Sequence, residues 1–329
     1  MAGETGEGVR GKGDTGASVC LEIYELYEDL VELARNVGGI GRPSHEELEA
    51  KIRGPEVSRF LYEGGRGRMV PVKTLVKLRN CDNWVDSDVV DVQEAMKKRR
   101  PIAKPKGLPS AGLGSTKKVG AEQEPQREVC WNIHKRGYSG ETLLHVCFMS
   151  PHNKDVNFEI AKRLIRAWPK MANDFILGTE NYGETCLHKA VVNENITMVK
   201  YLIDSGTDLN AHYYGRFFRP DDQKAWCIDT LDHEHFILNS KTNYEGLTYW
   251  GETPLMYAAC LDLDHMVRSL WANGANINAQ DTNGNTVLHL MVLHDKKAML
   301  TLAYEFGGDS TIKNKQGYTP LSLAAKLHG

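Results

Sequence analysis

The chain has 329 residues, 41% of them hydrophobic and 25% charged, with a formal net charge of −3. That allows one or two domains with a substantial core and gives no whole-chain electrostatic reason for nucleic-acid binding. No apolar run approaches the roughly 18–20 residues that cross a bilayer, and the N-terminal MAGETGEGVRGKGDTG lacks the apolar core of a secretory signal.

Residues 1–16, rich in glycine and small polar residues, read as a disordered leader. Residues 17–95 carry helical signals without defining a domain. In LEIYELYEDLVELAR, the side chains of Ile23, Leu26, Tyr27, Leu30, Leu33 and Ala34 share one face at helical period. Ser44 and Glu47 have capping-box spacing, and GPEVSRFLYEGG reads as a short helix with Pro55 in its first turn and Gly64 at its stop. Residues 96–128 are rich in Lys, Pro and Gly and nearly free of large apolar residues, which predicts a flexible basic linker. Its Lys97, Lys98, Arg99 and Arg100 could attract anionic lipid, although a solvated linker is the simpler reading. RGRMVPVKTLVKLRN is basic and amphipathic like a calmodulin target, but Pro71 interrupts the helix that such binding needs.

From residue 129 onward one phrase recurs. Gly140 opens GETLLH, Gly183 GETCLH, Gly251 GETPLM, Gly284 GNTVLH and Gly317 GYTPLS. The last two intervals are 33 residues each, and the two before them are 43 and 68. A 33-residue period carrying TPL is that of the ankyrin repeat. Thr142, Thr185, Thr253, Thr286 and Thr319 stand at helix N-caps, with Pro254 and Pro320 at first helical positions. Leu144, Leu187, Leu255, Leu288 and Leu321 are expected to pack between neighbouring units. His145, His188 and His289 follow the repeat rather than any site, so a local hydrogen bond to the threonine or a neighbouring loop is expected of them. The expected architecture is an all-α ankyrin-repeat solenoid over 129–329, with repeats starting near 140, 183, 251, 284 and 317. The last is incomplete, which reads as a fragment or as an end needing a partner.

The surplus residues fall in the loops that form the fingers of such an array. The longest, about 211–248, is dense in aromatics, which predicts packing for most of them and an exposed contact for some. Asp232–His235 (DHEH) collects metal-ligand types, but no distant partner set accompanies it. Seven cysteines without a Cys-x-x-Cys pair indicate neither a zinc site nor a disulfide framework, and hence reduced thiols in the cytosol. No nucleophile–base pair, carboxylate pair or nucleotide loop emerges, so an enzyme is not expected.

YYG, YWGETPLMYAAC, GANINAQDTNGNTVLH and TPLSLAAKL resemble the N-terminal domain of vanilloid-type transient receptor potential (TRPV) cation channels. FFRPDDQK, TLDHEH and TNYEGLTYWGE, with CWNIHKRGYSGETLLHVC at the first repeat, are most similar to the invertebrate branch of Inactive and Nanchung subunits. The resemblance covers about 130–329. It implies the cytosolic part of a tetrameric, calcium-permeable channel subunit of the plasma membrane, ciliary in one setting, that serves assembly and gating and contains no pore itself. Implied partners are other channel subunits and proteins bound through the fingers, with calmodulin or anionic lipid as weaker candidates and no nucleic acid. Phe217, Phe218, Trp226, Tyr249 and Trp250 are the candidate contact residues. Some relatives bind ATP through lysines of a G-K-T-x-L-L-K phrase; here Glu141 and His145 replace them, so no cofactor is expected. The alternative is a freestanding soluble adaptor, cytoplasmic if the chain truly ends at Gly329.

Overall fold

In the computed structural model the described residues are 15–36, 45–80, 124–217, 219–224, 231–239, 241–244 and 249–328. Leaving aside the short linking turns, the fold begins with helices α1 (Thr15–Asn36), α2 (His45–Arg53) and α3 (Pro55–Ser58). Strand β1 (Arg68–Pro71) leads directly into α4 (Val72–Arg79), and β2 (Gln126–Val129) pairs antiparallel with β1, Arg68 opposite Val129. Residues 126–128, placed in the linker by composition, are therefore strand. The stretch GPEVSRFLYEGG is not one helix either: α3 ends at Ser58, and a separate short turn, Tyr62–Gly65, follows it.

Four antiparallel helix pairs then stack: Leu143–Met149 with Lys154–Ala167, Cys186–Val192 with Ile196–Asp204, Pro254–Cys260 with Asp264–Ala272, and Val287–Leu293 with Lys297–Glu305. A single helix, Pro320–His328, follows. Each pair is too thin to shield its own apolar face, so burial comes from the neighbour. Leu144, Leu187, Leu255 and Leu288 are all buried as the phrase requires. Leu321 is not: it is 78% exposed, because no described element covers its side of the final helix.

The first zone is not separate from the stack. Ile23, Leu26, Leu30 and Ile52 belong to the same apolar cluster as Leu144 and Leu164. Tyr27 donates to Asn157 Oδ1 at 3.0 Å, Cys20 to the Arg136 carbonyl at 3.2 Å, and Trp168 Nε1 to the Ile52 carbonyl at 3.1 Å. Helices α1 and α2 thus cover the side of the first pair that no earlier repeat covers.

The recurring phrase carries a hydrogen-bond relay. Gly140 has φ 79°, and a Cβ there would lie 2.5 Å from the Gly178 amide nitrogen, so the turn needs glycine twice over. Thr142, Thr185 and Thr286 each form a capping box with the histidine three residues on. In each case the threonine N–H points at Nδ1, which leaves the proton on Nε2. Nε2 then reaches the next unit: the Glu184 carbonyl from His145 at 3.2 Å, Glu252 from His188 at 3.1 Å, and Tyr318 from His289 at 2.9 Å. In the third phrase Met256 takes this position, and its sulfur faces the Glu252 N–H at 3.4 Å.

Burial pushes His145 and His188 down to about 3, against an ordinary 6.5. The unfolded chain would take up these protons near 6.5 while the folded one refuses them, so this contribution to stability is lost as pH falls below 6.5. At about pH 5 each histidine should cost about 2 kcal/mol relative to neutral pH. Buried carboxyls with raised values, Asp174 at about 6 and Asp281 at about 7, act in the opposite sense. The direct readout is therefore each imidazole by NMR: His145 and His188 should remain neutral at pH 5. An ordinary titration of either near pH 6.5 would refute the relay.

Candidate functional site

The repeat rhythm breaks between Asp204, where one outer helix ends, and Pro254, where the next inner helix begins. At its root this excursion is held by backbone. The Tyr213 N–H donates to the Glu252 carbonyl at 2.8 Å, and the Tyr214 N–H to the Tyr182 carbonyl at 2.8 Å. The buried Tyr213 ring stands edge-on to Tyr257 at 5.8 Å, while its hydroxyl donates to the Glu180 carbonyl at 2.7 Å. Gly215 passes so close to the preceding loop that a Cβ would lie 2.1 Å from the Glu180 carbonyl oxygen.

Farther out, Phe236 is fully buried beneath three guanidinium groups: Arg79 at 4.0 Å from the ring centroid, Arg219 at 4.3 Å and Arg216 at 5.3 Å. Arg79 belongs to α4, so this cluster joins the excursion to the N-terminal segment. Arg79 also donates to the Glu234 carbonyl and lies over Tyr182, while Arg127 of β2 pairs with the Glu234 carboxylate at 3.3 Å. A ring array of His212, Tyr214, His235 and His233 runs alongside, with neighbouring centroids 5.6, 6.2 and 5.2 Å apart. Burial alone would depress His212, but its hydrogen bond to Glu252, at 3.1 Å, and that carboxylate's charge raise it. His235 is lowered, by burial first and then by the Lys315 charge.

The five candidate contact residues are not gathered into one patch. Phe217 is 56% exposed. Tyr249 is interior: its hydroxyl accepts from Asn283 and Asn285 at 3.3 and 3.4 Å, and its carbonyl meets His294 Nε2 at 2.6 Å. This burial removes Tyr249 as an exposed contact and makes it a prop for the returning strand of the loop. Trp250 is half-buried, edge-on to Tyr257 at 6.0 Å. Phe218 and Trp226 lie outside the described residues. The residues that organise the excursion, Phe236 with Arg79 and Arg219, were not singled out by sequence; a lone Phe following DHEH was the only available signal. In DHEH itself the two histidines stack, and among the described residues no group of three or more His, Cys, Asp or Glu is placed to hold a metal. At the first phrase, Glu141 accepts from Tyr24 and from the Ser139 N–H at 2.7 Å, and His145 is engaged in the relay.

Stacked helix pairs with a shared capped turn define a repeat protein whose irregular loops carry its individuality. A family model described as Ankyrin repeats (3 copies) matches residues 121–213 and 255–329, and the chain belongs to the ankyrin-repeat family. Among curated proteins, the chain is 32% identical over 203 residues to transient receptor potential cation channel subfamily V member 5 of Rattus norvegicus, covering 59% of this chain and 24% of that one. It is 34% identical over 203 residues to subfamily V member 6 of Homo sapiens (58% and 23%), and 30% identical over 163 residues to subfamily V member 4 of Rattus norvegicus (44% and 16%). These matches support an N-terminal ankyrin domain of the TRPV type, and the chain spans about a quarter of the length of the first of these relatives. No helix among the described residues is long and apolar enough to cross a membrane.

Proposed function

We propose that this chain is the cytosolic N-terminal part of a TRPV-like, calcium-permeable cation channel subunit, a non-enzymatic module for subunit assembly and gating. It counts as five repeats, the last incomplete, with residues 211–248 forming a long finger. The observation that carries the reading is the finger itself. It is a built structure, anchored through Phe236 and Arg79 to the N-terminal segment, and it presents Phe217 at its surface. A loop braced in this way can transmit force between the repeats and whatever docks on it, whereas a slack loop cannot.

Phe217, Phe218 and Trp226 are assigned to the docking surface, with Trp250 beside it. Interface aromatics of this kind are worth about 2 kcal/mol or more each. Phe217→Ala combined with Trp226→Ala in the full-length subunit should therefore reduce co-purification of two differently tagged copies severalfold, with helix content by circular dichroism preserved. Unchanged co-purification would sink the assignment. The same reading leaves the first-repeat phrase without nucleotide: Glu141 and His145 are both committed inside the fold, and millimolar ATP should produce no shift in melting temperature.

A further inference from the structure

Within the first helix pair, a surface turn of residues 150–153 joins Met149 to Lys154 and reads Ser-Pro-His-Asn. Serine or threonine stands directly before proline three times in the chain, at Ser150, Thr253 and Thr319. The fold treats the three differently. Pro254 and Pro320 are the first residues of helices, so the chain beyond Thr253 or Thr319 is wound up at once. Their hydroxyls are also engaged: Thr253 Oγ1 accepts from the Met256 N–H and Thr319 Oγ1 from the Ser322 N–H, each at 3.3 Å. Ser150 has extended backbone, φ −66° and ψ 123°, and residues 151–155 beyond it are all exposed.

The Ser150 hydroxyl is held weakly. It donates to the His152 carbonyl at 3.4 Å, at the surface and beyond the usual range of O–H···O distances. That same carbonyl accepts from Asn157 Nδ2 at 2.8 Å, and Asn157 Oδ1 accepts from Tyr27 of α1 at 3.0 Å. The turn also leads into an unfinished helix start. Asn153, at the N-cap of Lys154–Ala167, has φ 57° and makes no side-chain cap bond. The amides of a first helical turn have no partner within the helix. Lys154, the first residue of that helix, is exposed.

We propose that Ser150 is a phosphorylation site for a proline-directed serine/threonine kinase, and that the phosphate caps the helix Lys154–Ala167. In the transfer, Ser150 Oγ attacks the γ-phosphorus of ATP, the bond from that phosphorus to the bridging oxygen breaks to release ADP, and the hydroxyl proton passes to the kinase's catalytic aspartate. The ester has no hydroxyl proton, so the weak bond to His152 is given up. In its place a group of nearly two negative charges stands four residues before Lys154. The amides of a helix start and the point charge of a lysine both favour such a dianion, with Asp155 as the opposing charge in the same turn. Fixing this helix start also steadies Asn157, and through it the link to Tyr27 of α1. The site is independent of the channel reading, since it requires neither a pore nor a second subunit.

The test is labelling of the folded 329-residue chain with ATP by two proline-directed kinases, one cyclin-dependent and one mitogen-activated, with the phosphate located by mass spectrometry. One phosphate at Ser150 is expected, absent in Ser150→Ala and sharply reduced in Pro151→Ala, with Thr253 and Thr319 unlabelled. Both variants change a surface turn, and circular dichroism should show their helix content intact. In the phosphorylated chain, amide exchange at residues 154–157 should slow severalfold, the effect of an anion at a helix start. No label at Ser150 with either kinase, equal label at Thr253 or Thr319, or undiminished labelling of Pro151→Ala would overturn the site. Unchanged or faster exchange at 154–157 would overturn the cap.

Discussion

Asp174→Ala should lower the unfolding free energy by about 3–5 kcal/mol, the usual consequence of removing one partner from a buried ion pair. Asp174 and Arg136 are both fully buried, 3.8 Å apart. Asp174 accepts the consecutive N–H groups of Cys130 and Trp131 at 2.9 and 2.8 Å, fixing the chain as it leaves β2. Arg136 spreads its donors over the carbonyls of Phe175, at 2.6 Å, and of Gly140 and Trp131, each at 3.3 Å. Burial raises the Asp174 carboxyl to about 6 even with Arg136 and two amides pulling it down. Alanine would strand a guanidinium and two amides without water. Asp174→Asn keeps one acceptor oxygen but turns an NH2 donor toward the other of the two N–H groups, so it loses the charge and one hydrogen bond and should fall between wild type and alanine, nearer alanine. The measurement is urea unfolding followed by circular dichroism. A loss below about 1 kcal/mol would place Arg136's effective partners among the carbonyls and not at Asp174.

That brace was illegible in the sequence, whereas the repeats were plain, and the difference is physical. The phrase Gly-x-Thr-x-x-His is read by forces acting within four residues: a glycine turn, a hydroxyl cap and a ring folded back on its own helix start. Thr185 and His188 need no distant partner to show their roles, although the landing point of Nε2 on Glu252 requires the fold. The apolar face of α1 was equally visible at Ile23, Leu26 and Leu30, yet periodicity says only that a face is buried and not against what. Here it meets the first repeat pair. The β1–β2 pairing has no local signature at all: four-residue strands more than 50 residues apart in sequence, one of them containing Pro71, declare themselves only through register. In the finger, aromatic density pointed to packing for most rings and an exposed contact for some; Tyr213 and Tyr249 are buried. It could not separate Phe217, outside, from Phe236, inside, because an irregular segment has no period from which to read a face.

Phe236→Ala is the complementary experiment, directed at the finger and not the stack. Truncating a buried phenylalanine costs about 3–5 kcal/mol where the surroundings cannot collapse, and here collapse is opposed electrostatically. Arg79, Arg216 and Arg219 face the same ring, and its removal leaves three cations around a void. The cost should appear as local opening, since Phe236 lies outside the continuous cluster that runs through the repeats. Amide exchange and limited proteolysis between residues 211 and 250 should accelerate by two orders of magnitude or more, about 1.4 kcal/mol corresponding to each factor of ten. The melting midpoint of the repeats should move little. Phe236→Leu separates the two contributions: it refills much of the volume without a ring face, so the remaining deficit measures the cation–π component, about 0.5–2 kcal/mol per contact. If exchange in the finger is unchanged by alanine, the finger is held at its Tyr213–Glu252 root alone. The link from α4 to the proposed docking surface would then carry no force.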